Sequence, residues 1–470
     1  MTVPKLKEQM TPIKLEQTPL NKFYSFLPEG EEHELINEIN RRVNFSTEEG
    51  YHLRLERDGT VEIVETHCLK CGTRLSCNGF NDKLAILDHG LGRYEFKLHR
   101  KRCPKCGKIE VDYSQLAPEH GNYHENYKKR ARQHYMNGLM PSQIVRVFKV
   151  DFGIDIARST IQTWIDEAAE PLREILKETP IPSSGSWGYD EIHLKVGGKK
   201  MYALNTVDMN TEFIPAAKVS DSMGKAAGRE LLREARCHAE LELNALIKDG
   251  TANLGALFRT RSFKDVTLQD CLTHIKWSTS KHIKAFIGLP TQSIKPIPAE
   301  WQWLVKKFYD VINPRHETDA YIKLEVLRNT IQQLDGERID ELYTAYKTLK
   351  TKLPKIIAHQ RNLQIPATNN LLEGYHKKFE YYPSFKRNMM TPEGAQRVLD
   401  YITFRHNFKK FPAYIAMYKE KYNRWRAKLR EGRVSNFVKG QGNHFRWKFI
   451  KLKAWYEKYL TVWDKYFKVL

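Results

Sequence analysis

Long apolar runs are missing from this chain of 470 residues. No uninterrupted hydrophobic stretch approaches the roughly 20 residues that a membrane-spanning helix needs. The opening segment, Met1–Lys7, also lacks the apolar core of a secretory signal. These absences argue against a membrane protein or an exported protein, and we expect a cytoplasmic location.

Acidic residues are too few to balance the basic ones. The chain has 77 lysine and arginine residues against 56 aspartate and glutamate residues, which gives a formal net charge of +21 and a pI near 9.4. An excess of this size favours a polyanionic partner, and nucleic acid before a membrane surface. We therefore expect a nucleic-acid partner, and the motifs given below favour double-stranded DNA and association with the nucleoid.

Cysteine is scarce as well, with seven residues, of which four form two CxxC pairs. Cys68 and Cys71 make the first pair, and Cys103 and Cys106 follow after 31 intervening residues. In a reducing compartment this spacing is typical of a metal site rather than of disulfides. Two such pairs present four thiolates tetrahedrally to Zn²⁺. The alternating residues between the pairs predict the strands of a zinc ribbon.

The same segment offers other possible ligands and a basic run. His67, Cys77 and His99 are alternative zinc ligands, although the two pairs alone complete a tetrahedral set. We expect a structural zinc ion that holds the ribbon folded and has no catalytic role. The ribbon would then present to DNA the residues Arg100, Lys101 and Arg102.

Helical periodicity begins after Pro118 and predicts a helix-turn-helix. The first helix is basic and includes Arg132. A later helix places Ile161, Trp164 and Ile165 on one apolar face. An ordinary helical hairpin is the alternative interpretation. In a helix-turn-helix the opposite face of this later helix would enter the major groove, and that face consists of Arg158, Ser159, Gln162 and Thr163.

Strand periodicity follows the Pro- and Ser-rich linker 179–185. A glycine pair, 197–198, predicts a tight hairpin after the first strand. Three antiparallel strands, a crossover helix and a fourth strand together predict an RNase H-like mixed sheet. The predicted strands are Ser186–Val196, Met201–Asp208, Glu212–Val219 and Leu243–Asp249, with a helix from Ser222 to about His238 before the last of them.

Two aspartates stand at informative places in this sheet. Asp190 lies within the first strand and Asp249 ends the fourth. In the predicted topology these strands are neighbours, so the two carboxylates would meet at one edge of the sheet. Oxygen ligands of this kind suit Mg²⁺ shared with substrate phosphates. The alternative is that Asp190 is a charge on the strand surface and Asp249 a turn residue.

The following residues add helices and a third acidic candidate. Leu268–Trp277 is predicted to be a fifth strand or a strand running into a helix, and 296–365 is helical in pattern, as expected of an insertion. A further helix begins near Thr368 and places Glu373 and Lys377 four residues apart on one face. A salt bridge within the helix is one interpretation. The other is a third metal-binding carboxylate with a phosphate-binding lysine beside it.

The final segment, 411–470, interleaves aromatic and basic residues, as in Tyr422–Lys428 and His444–Lys448. Such interleaving suits a nucleic-acid surface, where cations meet phosphates and rings pack on sugars or bases. It suits equally well an amphipathic helix that packs on its own domain.

In combination these motifs resemble the bacterial and archaeal insertion-sequence transposases of the DDE class that carry an N-terminal zinc ribbon and helix-turn-helix. Asp190 and Asp249 are 59 residues apart, as in such families, whereas Asp249 and Glu373 are 124 apart, so a helical insertion must separate them. The resemblance covers about 65–410, and its motifs are Tyr189–Ile192, Lys248–Gly250, the CxxH motif Cys271–His274, Thr368–Gly374, Ser384–Asn388 and Arg405–Phe408.

The resemblance implies a mechanism and a set of site residues. Asp190, Asp249 and Glu373 would hold two Mg²⁺ or Mn²⁺ ions, with Glu380 and Glu393 as weaker alternatives to Glu373. One strand end would be cut by water, and the freed 3′-hydroxyl would attack target DNA. The auxiliary residues near the scissile phosphate would be His274, Lys377 and Arg387.

The resemblance also implies a domain order and an assembly. Two element ends must be brought together, so we expect a homodimer or a larger assembly on DNA. A non-catalytic DNA-binding protein derived from a transposase and a structure-specific nuclease of the same fold are the two competing hypotheses. The predicted parts are an N-terminal segment (1–60), the zinc ribbon (61–120), the helix-turn-helix (121–178), the RNase H-like catalytic domain (186–295 and 366–410), a helical insertion (296–365) and a basic aromatic tail (411–470).

Overall fold

The fold is taken from a computed structural model of the whole chain. The structure describes residues 50–56, 60–86, 93–108, 123, 125–152, 154–249, 254–293, 295–380, 382, 390–431 and 436–468. Most of the predicted N-terminal segment, including 1–49, lies outside these residues. The chain divides into two compact units. One comprises the described residues up to Tyr135, Leu139–Asp166 and the residues from Tyr466 onward, and the other comprises Met136–Gly138 and Glu167–Lys465.

A five-stranded sheet opens the first unit. Its order is β1-β2-β4-β3, with β5 paired to β4, and only the β2–β4 pairing is parallel. The sheet begins before the predicted ribbon boundary at residue 61, because β1 already pairs with β2. The strands are β1 (Leu53–Leu55), β2 (Thr60–Ile63), β3 (Ser76–Ile86), β4 (Arg93–Cys103) and β5 (Gly107–Lys108).

Three helices follow the sheet: α1 (Glu125–Met136), α2 (Pro141–Phe152) and α3 (Arg158–Glu178). The division between the two units falls within α3. As the apolar pattern predicts, Ile161, Trp164 and Ile165 are buried. They share this core with Ile144 and Phe148 of α2. The ring centroids of Phe148 and Trp164 lie 6.2 Å apart.

Arg132 is an exception to the basic character of α1. Only 1% of its surface is exposed. Its Nε donates to the carbonyl oxygen of Trp164 at 2.7 Å, and its Nη1 lies 3.0 Å from Glu125 Oε1. Burying a guanidinium is tolerated only when its donors are paired in this way. Arg132 therefore joins α1 to α3 and is not part of a DNA-binding surface.

The second unit is built on a mixed sheet of order β10-β9-β6-β7-β8. β6, β7 and β8 are antiparallel, whereas β9 is parallel to both β6 and β10. The predicted adjacency of the first and fourth strands is present as the β6–β9 pair. The elements are β6 (Ser186–Val196), β7 (Lys199–Asp208), β8 (Ala217–Ser220), α4 (Lys225–His238), β9 (Ala245–Lys248) and β10 (Thr267–Asp270).

The local signals for the first hairpin are accurate, but those for the third strand are not. Gly197 and Gly198 have φ of +54° and +80° and form the two-residue turn between β6 and β7, the backbone that glycine adopts without cost. The prediction of a strand over Glu212–Val219 is wrong at its start. Glu212 has φ of +63° and ends a turn whose amides bond to Asp208.

The predicted linker is instead packed into this unit. Thr179, Ile181 and Ser183 are buried. The carboxylate of fully buried Asp208 accepts from the hydroxyls of Ser183 and Ser184, both at 2.9 Å, and from the Ser184 amide at 2.5 Å. The Ser-rich composition correctly predicts a loop. The hydroxyls of this loop donate hydrogen bonds to a buried carboxylate and not to water.

After β10, consecutive helices cover the side of the sheet that this strand forms. The helical core includes Leu272, Ile275 and Ile283, so the helical region begins well before the predicted boundary at 296. β10 runs directly into α5, which resolves the alternatives left open for Leu268–Trp277. The helices are α5 (Leu272–Phe286), α6 (Gln302–Ile312), α7 (Glu317–Gln332), α8 (Ile339–Ile356) and α9 (Ala358–Arg361).

The C-terminal part of the chain is formed by α10 (Asn370–Glu380), α11 (Pro392–Arg430) and α12 (Asn436–Tyr466). α11 begins where Thr391 Oγ1 accepts from the Gly394 amide at 3.1 Å, and it crosses the predicted boundary at 411 without a break. Its aromatic residues pack on α12: the ring of Phe404 stacks at 5.3 Å on Tyr459, and Phe408 stacks at 4.6 Å on Trp463.

The rings of the predicted tail thus serve packing within the unit, while part of its charge stays at the surface. Lys448 is buried and pairs with Glu240. The exposed cations of α11 include Arg424, Arg426 and Lys428. Within the described residues, no helix is both long and apolar enough to cross a membrane.

Candidate functional site

The register between β6 and β9 brings two carboxylates to one edge of the sheet. Tyr189 is paired with Lys248 in this parallel ladder. Asp190 and Asp249 are the next residues on each chain segment, so they leave the ladder at the same end. The side chain of Asp190 is 17% exposed. Asp190 and Asp249 thus lie at the same end of neighbouring strands.

Helix α10 adds a third carboxylate to this edge. The negative charges of Asp249 and Glu373 both act on Asp190, and His376 Nδ1 on the same helix lies 3.6 Å from Asp190 Oδ2. His274, in the first turn of α5, also acts electrostatically on Asp190. We call Asp190, Asp249 and Glu373 the carboxylate site. Carboxylate oxygens are ligands of the hard type that Mg²⁺ and Mn²⁺ take.

Burial and the charges of neighbouring carboxylates raise the pKa values of Asp190 and Glu191. Burial, together with the charges of Asp249 and Glu373, raises the pKa of Asp190 to about 6. The Glu191 amide, which donates to Asp190 Oδ1 at 2.9 Å, acts in the opposite direction. Burial and the charges of Asp249 and Asp190 raise the pKa of Glu191 to about 7. A divalent cation would relieve this repulsion.

The imidazoles of the site differ in charge. A hydrogen bond with the Cys271 thiol raises the pKa of His274 to about 9, helped by the charges of Asp190 and Glu373. Burial lowers the pKa of His376 to about 4. At neutral pH, His274 is therefore a cation beside the carboxylates, and the contact between His376 and Asp190 joins a neutral ring to a carboxyl group.

The other predicted site residues are placed differently. Lys377 is exposed, and within the described part of α10 no ion pair joins it to Glu373. Glu393 is exposed in the first turn of α11. Arg387 lies outside the described residues, as does the side chain of Glu380. Sequence reasoning missed Glu191 and His376, although both are next to predicted motifs.

The pKa values predict how metal binding depends on pH. We expect the affinity for Mg²⁺ to fall below about pH 7, because the ion must displace protons. Between about pH 8 and pH 5.5 the loss is roughly fourfold if only Asp190 titrates, and roughly a hundredfold if Glu191 must also ionise. Calorimetric titration with Mg²⁺ at each pH measures this affinity. An affinity independent of pH would contradict the assignment.

The raised pKa values of Asp190 and Glu191 also predict how the stability of the metal-free protein depends on pH. The folded-state pKa values of Asp190 and Glu191 lie above the unfolded ones, so the ionised groups destabilise the metal-free fold as pH rises through about 6 to 7. Asp190→Asn should therefore flatten the pH dependence of the free energy of unfolding without Mg²⁺, while Asp265→Asn, which alters an exposed carboxylate, serves as the control.

A buried asparagine fixes the helix that carries Glu373. Asn369 precedes α10 and is fully buried. Its Nδ2 donates to the Tyr189 carbonyl at 3.3 Å, and its backbone amide lies 3.3 Å from Cys271 Sγ. A Cβ on Gly188 would come within 2.2 Å of Asn369 Oδ1. The approach of α10 to β6 therefore depends on glycine at residue 188.

This contact predicts a difference between two glycine substitutions. Gly188→Ala should lower the free energy of unfolding by about 1–3 kcal/mol through overpacking. Gly374→Ala, in open space on α10, should be neutral or stabilise the helix by up to about 1 kcal/mol. Chemical denaturation measures both. Equal effects would show that the close approach has no energetic weight.

A buried ion pair underlies Asp249. Lys248 and Asp270 on adjacent strands are 4% and 2% exposed, and Lys248 Nζ lies 3.5 Å from Asp270 Oδ1. Lys248 Nζ also donates to the carbonyl oxygen of Asp249 at 2.8 Å. Because breaking a buried pair leaves an uncompensated charge, this arrangement holds the backbone of Asp249 in place.

A second group of metal-binding residues lies in the first unit. The sulfur atoms of Cys68, Cys71, Cys103 and Cys106 all lie within 4.8 Å of one another, and we call them the thiol cluster. Those of Cys71 and Cys103 are 3.4 Å apart, close to the roughly 3.8 Å between thiolates around tetrahedral zinc. The four thiols thus form a group that could hold Zn²⁺.

The backbone around the thiol cluster has the form that two metal knuckles require. Gly72 and Gly107 adopt positive φ of +67° and +92° directly after the second cysteine of each pair. The Cys106 amide donates to Cys103 Sγ at 3.2 Å. His99, an alternative ligand, instead places Nε2 2.9 Å from Cys77 Sγ, outside the cluster.

Comparison with known proteins adds little to this geometry. No protein-family model matches the chain, and no curated protein matches it. Among solved structures, a chain in a cryo-EM structure of a simian T-cell lymphotropic virus intasome in complex with PP2A regulatory subunit B56 gamma is 10% identical. The match covers 47% of this chain and 67% of that chain, with a TM-score of 0.15. A TM-score this low supports no conclusion about this chain.

The predicted DNA-binding residues have varied surroundings. On α3, Arg158, Ser159 and Thr163 are exposed, while Gln162 donates to Asp166 Oδ1 at 2.8 Å. On β4, Arg100 and Arg102 are exposed. Lys101 differs, because its Nζ donates to the carbonyl oxygens of Ile63 at 2.5 Å and Glu65 at 3.3 Å. Its charge is thus engaged by the sheet's own backbone.

Proposed function

We propose that this protein is a DNA transposase of the DDE class, which cuts the ends of an insertion sequence and joins them to target DNA. The observation that supports the proposal is that Asp190 and Asp249 follow paired positions of neighbouring strands, while the charge of Glu373 acts on Asp190. These residues come from three distant parts of the sequence, and half-buried carboxylates that repel one another carry an energetic cost.

The order of elements supports an RNase H-like interpretation of the sheet. Three antiparallel strands are followed by α4 and by a strand parallel to the first. Helices α5 to α9 then separate the second carboxylate from the third, as a helical insertion in the catalytic domain requires. The third carboxylate returns on a helix that packs against β6.

The donor set fits the metal ions that this class of reaction uses. Asp190, Asp249 and Glu373 would hold Mg²⁺ or Mn²⁺, which when bound lowers the pKa of an attacking hydroxyl and neutralises phosphate charge. The protein's own part is to orient the carboxylates through Asn369 and Lys248, and to place the His274 cation beside the phosphate. Exposed Lys377 would meet the DNA backbone one turn beyond Glu373.

The first unit would supply DNA recognition in this proposal. A zinc ion in the thiol cluster would hold the sheet folded, so that Arg100 and Arg102 contact phosphates. The exposed face of α3 would enter the major groove. Both contributions agree with the formal charge of +21, and joining two element ends would call for at least two copies of the chain.

The decisive experiment uses a plasmid that carries this gene with its native flanking DNA. Purified protein and Mg²⁺ are added, wild type beside Asp249→Asn, and all ends are mapped by sequencing. Discrete cuts at the flanks with new junctions elsewhere, absent in the variant, are expected. Cuts without junctions would indicate a nuclease instead. Binding to the flanks without cutting by either protein would indicate a non-catalytic DNA-binding protein.

A further inference from the structure

We propose that Cys271, His274 and Glu373 form a second metal site, selective for Zn²⁺ or a similar borderline-soft divalent ion. One ligand atom from each lies within 4.8 Å of the other two. We call these residues the mixed-ligand cluster. It shares Glu373 with the carboxylate site, so its regulatory consequence rests on the proposed function, whereas its metal binding does not.

The ligand types decide which metal fits. Mg²⁺ takes oxygen ligands, whereas thiolate and imidazole favour zinc and its neighbours among the transition metals. A cysteine, a histidine and a glutamate make a three-ligand set that leaves a fourth tetrahedral position open, as in zinc sites that bind water or an exchangeable group. The thiol cluster in the first unit has four sulfur ligands and is closed by comparison.

The local fold holds the mixed-ligand cluster in place without filling it. Cys271 is fully buried at the start of α5, and the Asn369 amide lies 3.3 Å from its sulfur, a contact that stabilises a thiolate. Three residues later on the same face, His274 Nδ1 is buried without a hydrogen-bond partner. A metal ion would displace the proton that His274 carries at neutral pH and give this nitrogen the partner it lacks.

Occupation of this site would withdraw Glu373 from the carboxylate site. In coordinating Zn²⁺ beside the thiolate and the imidazole, the Glu373 carboxylate would turn toward Cys271 and His274 and donate less charge to a hard ion beside Asp190. Zinc is therefore inferred to act as an inhibitor of the Mg²⁺-dependent reaction, with Cys271 as the residue that confers the selectivity. Cys271 is not one of the residues of the carboxylate site, so its substitution removes a zinc ligand without removing a ligand of Mg²⁺.

Metal analysis of the intact chain tests the binding. After dialysis against buffered Zn²⁺, the wild type should hold two zinc ions per chain, one for each cluster. Cys271→Ser and His274→Gln should each hold one fewer, whereas Cys237→Ser, which alters an exposed cysteine elsewhere, should match the wild type. Equal zinc content in the wild type and both cluster variants would overturn the proposal. Two cluster variants guard against misfolding of either.

Zinc titration of the cleavage reaction tests the regulation. Each protein's rate is normalised to its own rate in Mg²⁺ without added zinc. The concentration of Zn²⁺ that halves the rate should rise at least about tenfold in Cys271→Ser and stay unchanged in Cys237→Ser. Equal zinc sensitivity would refute the inhibitory role. If the wild type does not cut DNA, the proposed function fails while the metal analysis still decides whether the mixed-ligand cluster binds zinc.

Discussion

Asp249→Asn is expected to reduce Mg²⁺-dependent strand cleavage by at least about a thousandfold, while DNA affinity changes by less than about threefold. Asparagine keeps the size of the side chain but removes the charge that a hard cation needs. Asp249 acts electrostatically on both Asp190 and Glu191, so the substitution also weakens the field that draws an ion to the edge of the sheet.

The matched control for this experiment is Asp265→Asn, which removes the same charge from an exposed position in the same unit. Cleavage is followed on an end-labelled duplex of the flanking DNA, and affinity by fluorescence anisotropy without metal. Wild-type cleavage by Asp249→Asn would rule out the carboxylate site. A loss of affinity equal to the loss of cleavage would mean that Asp249 contributes to binding rather than chemistry.

Removal of zinc is expected to unfold the first sheet and leave the second unit intact. Structural zinc in small domains contributes about 10–16 kcal/mol of apparent binding free energy. The thiol cluster joins the turn between β4 and β5 to a loop that precedes β3, and Cys68 and Cys103 are buried. Without a metal, four close thiols provide no comparable cross-link. Cys103→Ser should therefore release about one zinc ion per chain and expose the sheet to protease.

Cys77→Ser is the control, because Cys77 is an exposed cysteine in the same sheet that lies outside the thiol cluster. Zinc content, limited proteolysis and DNA affinity are measured for both variants. Loss of zinc from Cys77→Ser, or a protease-resistant sheet in chelated protein, would refute the assignment of the four thiols. The pattern of protection also tests whether the two compact units unfold independently.

Local sequence patterns predict much of the fold that positions the carboxylate site. Strand alternation and a glycine pair identify β6 and its hairpin, and the position of Asp249 at the end of an apolar run identifies β9. These signals act over a few residues, so a single sequence reveals them. The meeting of Asp190 with Asp249 then follows from strand order alone.

The parts that were missed depend on contacts between distant residues. Strand alternation assigns Glu191 to the face opposite Asp190, yet both acids lie near Asp249 at the point where the ladder ends. The close approach of Asn369 to Gly188 joins residues 181 positions apart. The sequence pattern does not predict the turn at Glu212, because the buried Asp208 carboxylate that stabilises this turn leaves no periodic signal in the sequence.

The wide separation of the three carboxylates along the chain has a consequence for synthesis. Asp249 and Glu373 are 124 residues apart, so a ribosome that adds about 5–20 residues per second needs roughly 6–25 s to pass from one to the other. During that time the growing polypeptide holds two acids at the sheet edge without the third. Docking of α10 on β6 therefore completes the carboxylate site last, and under the proposed function the chain would gain its cleavage activity only at that step.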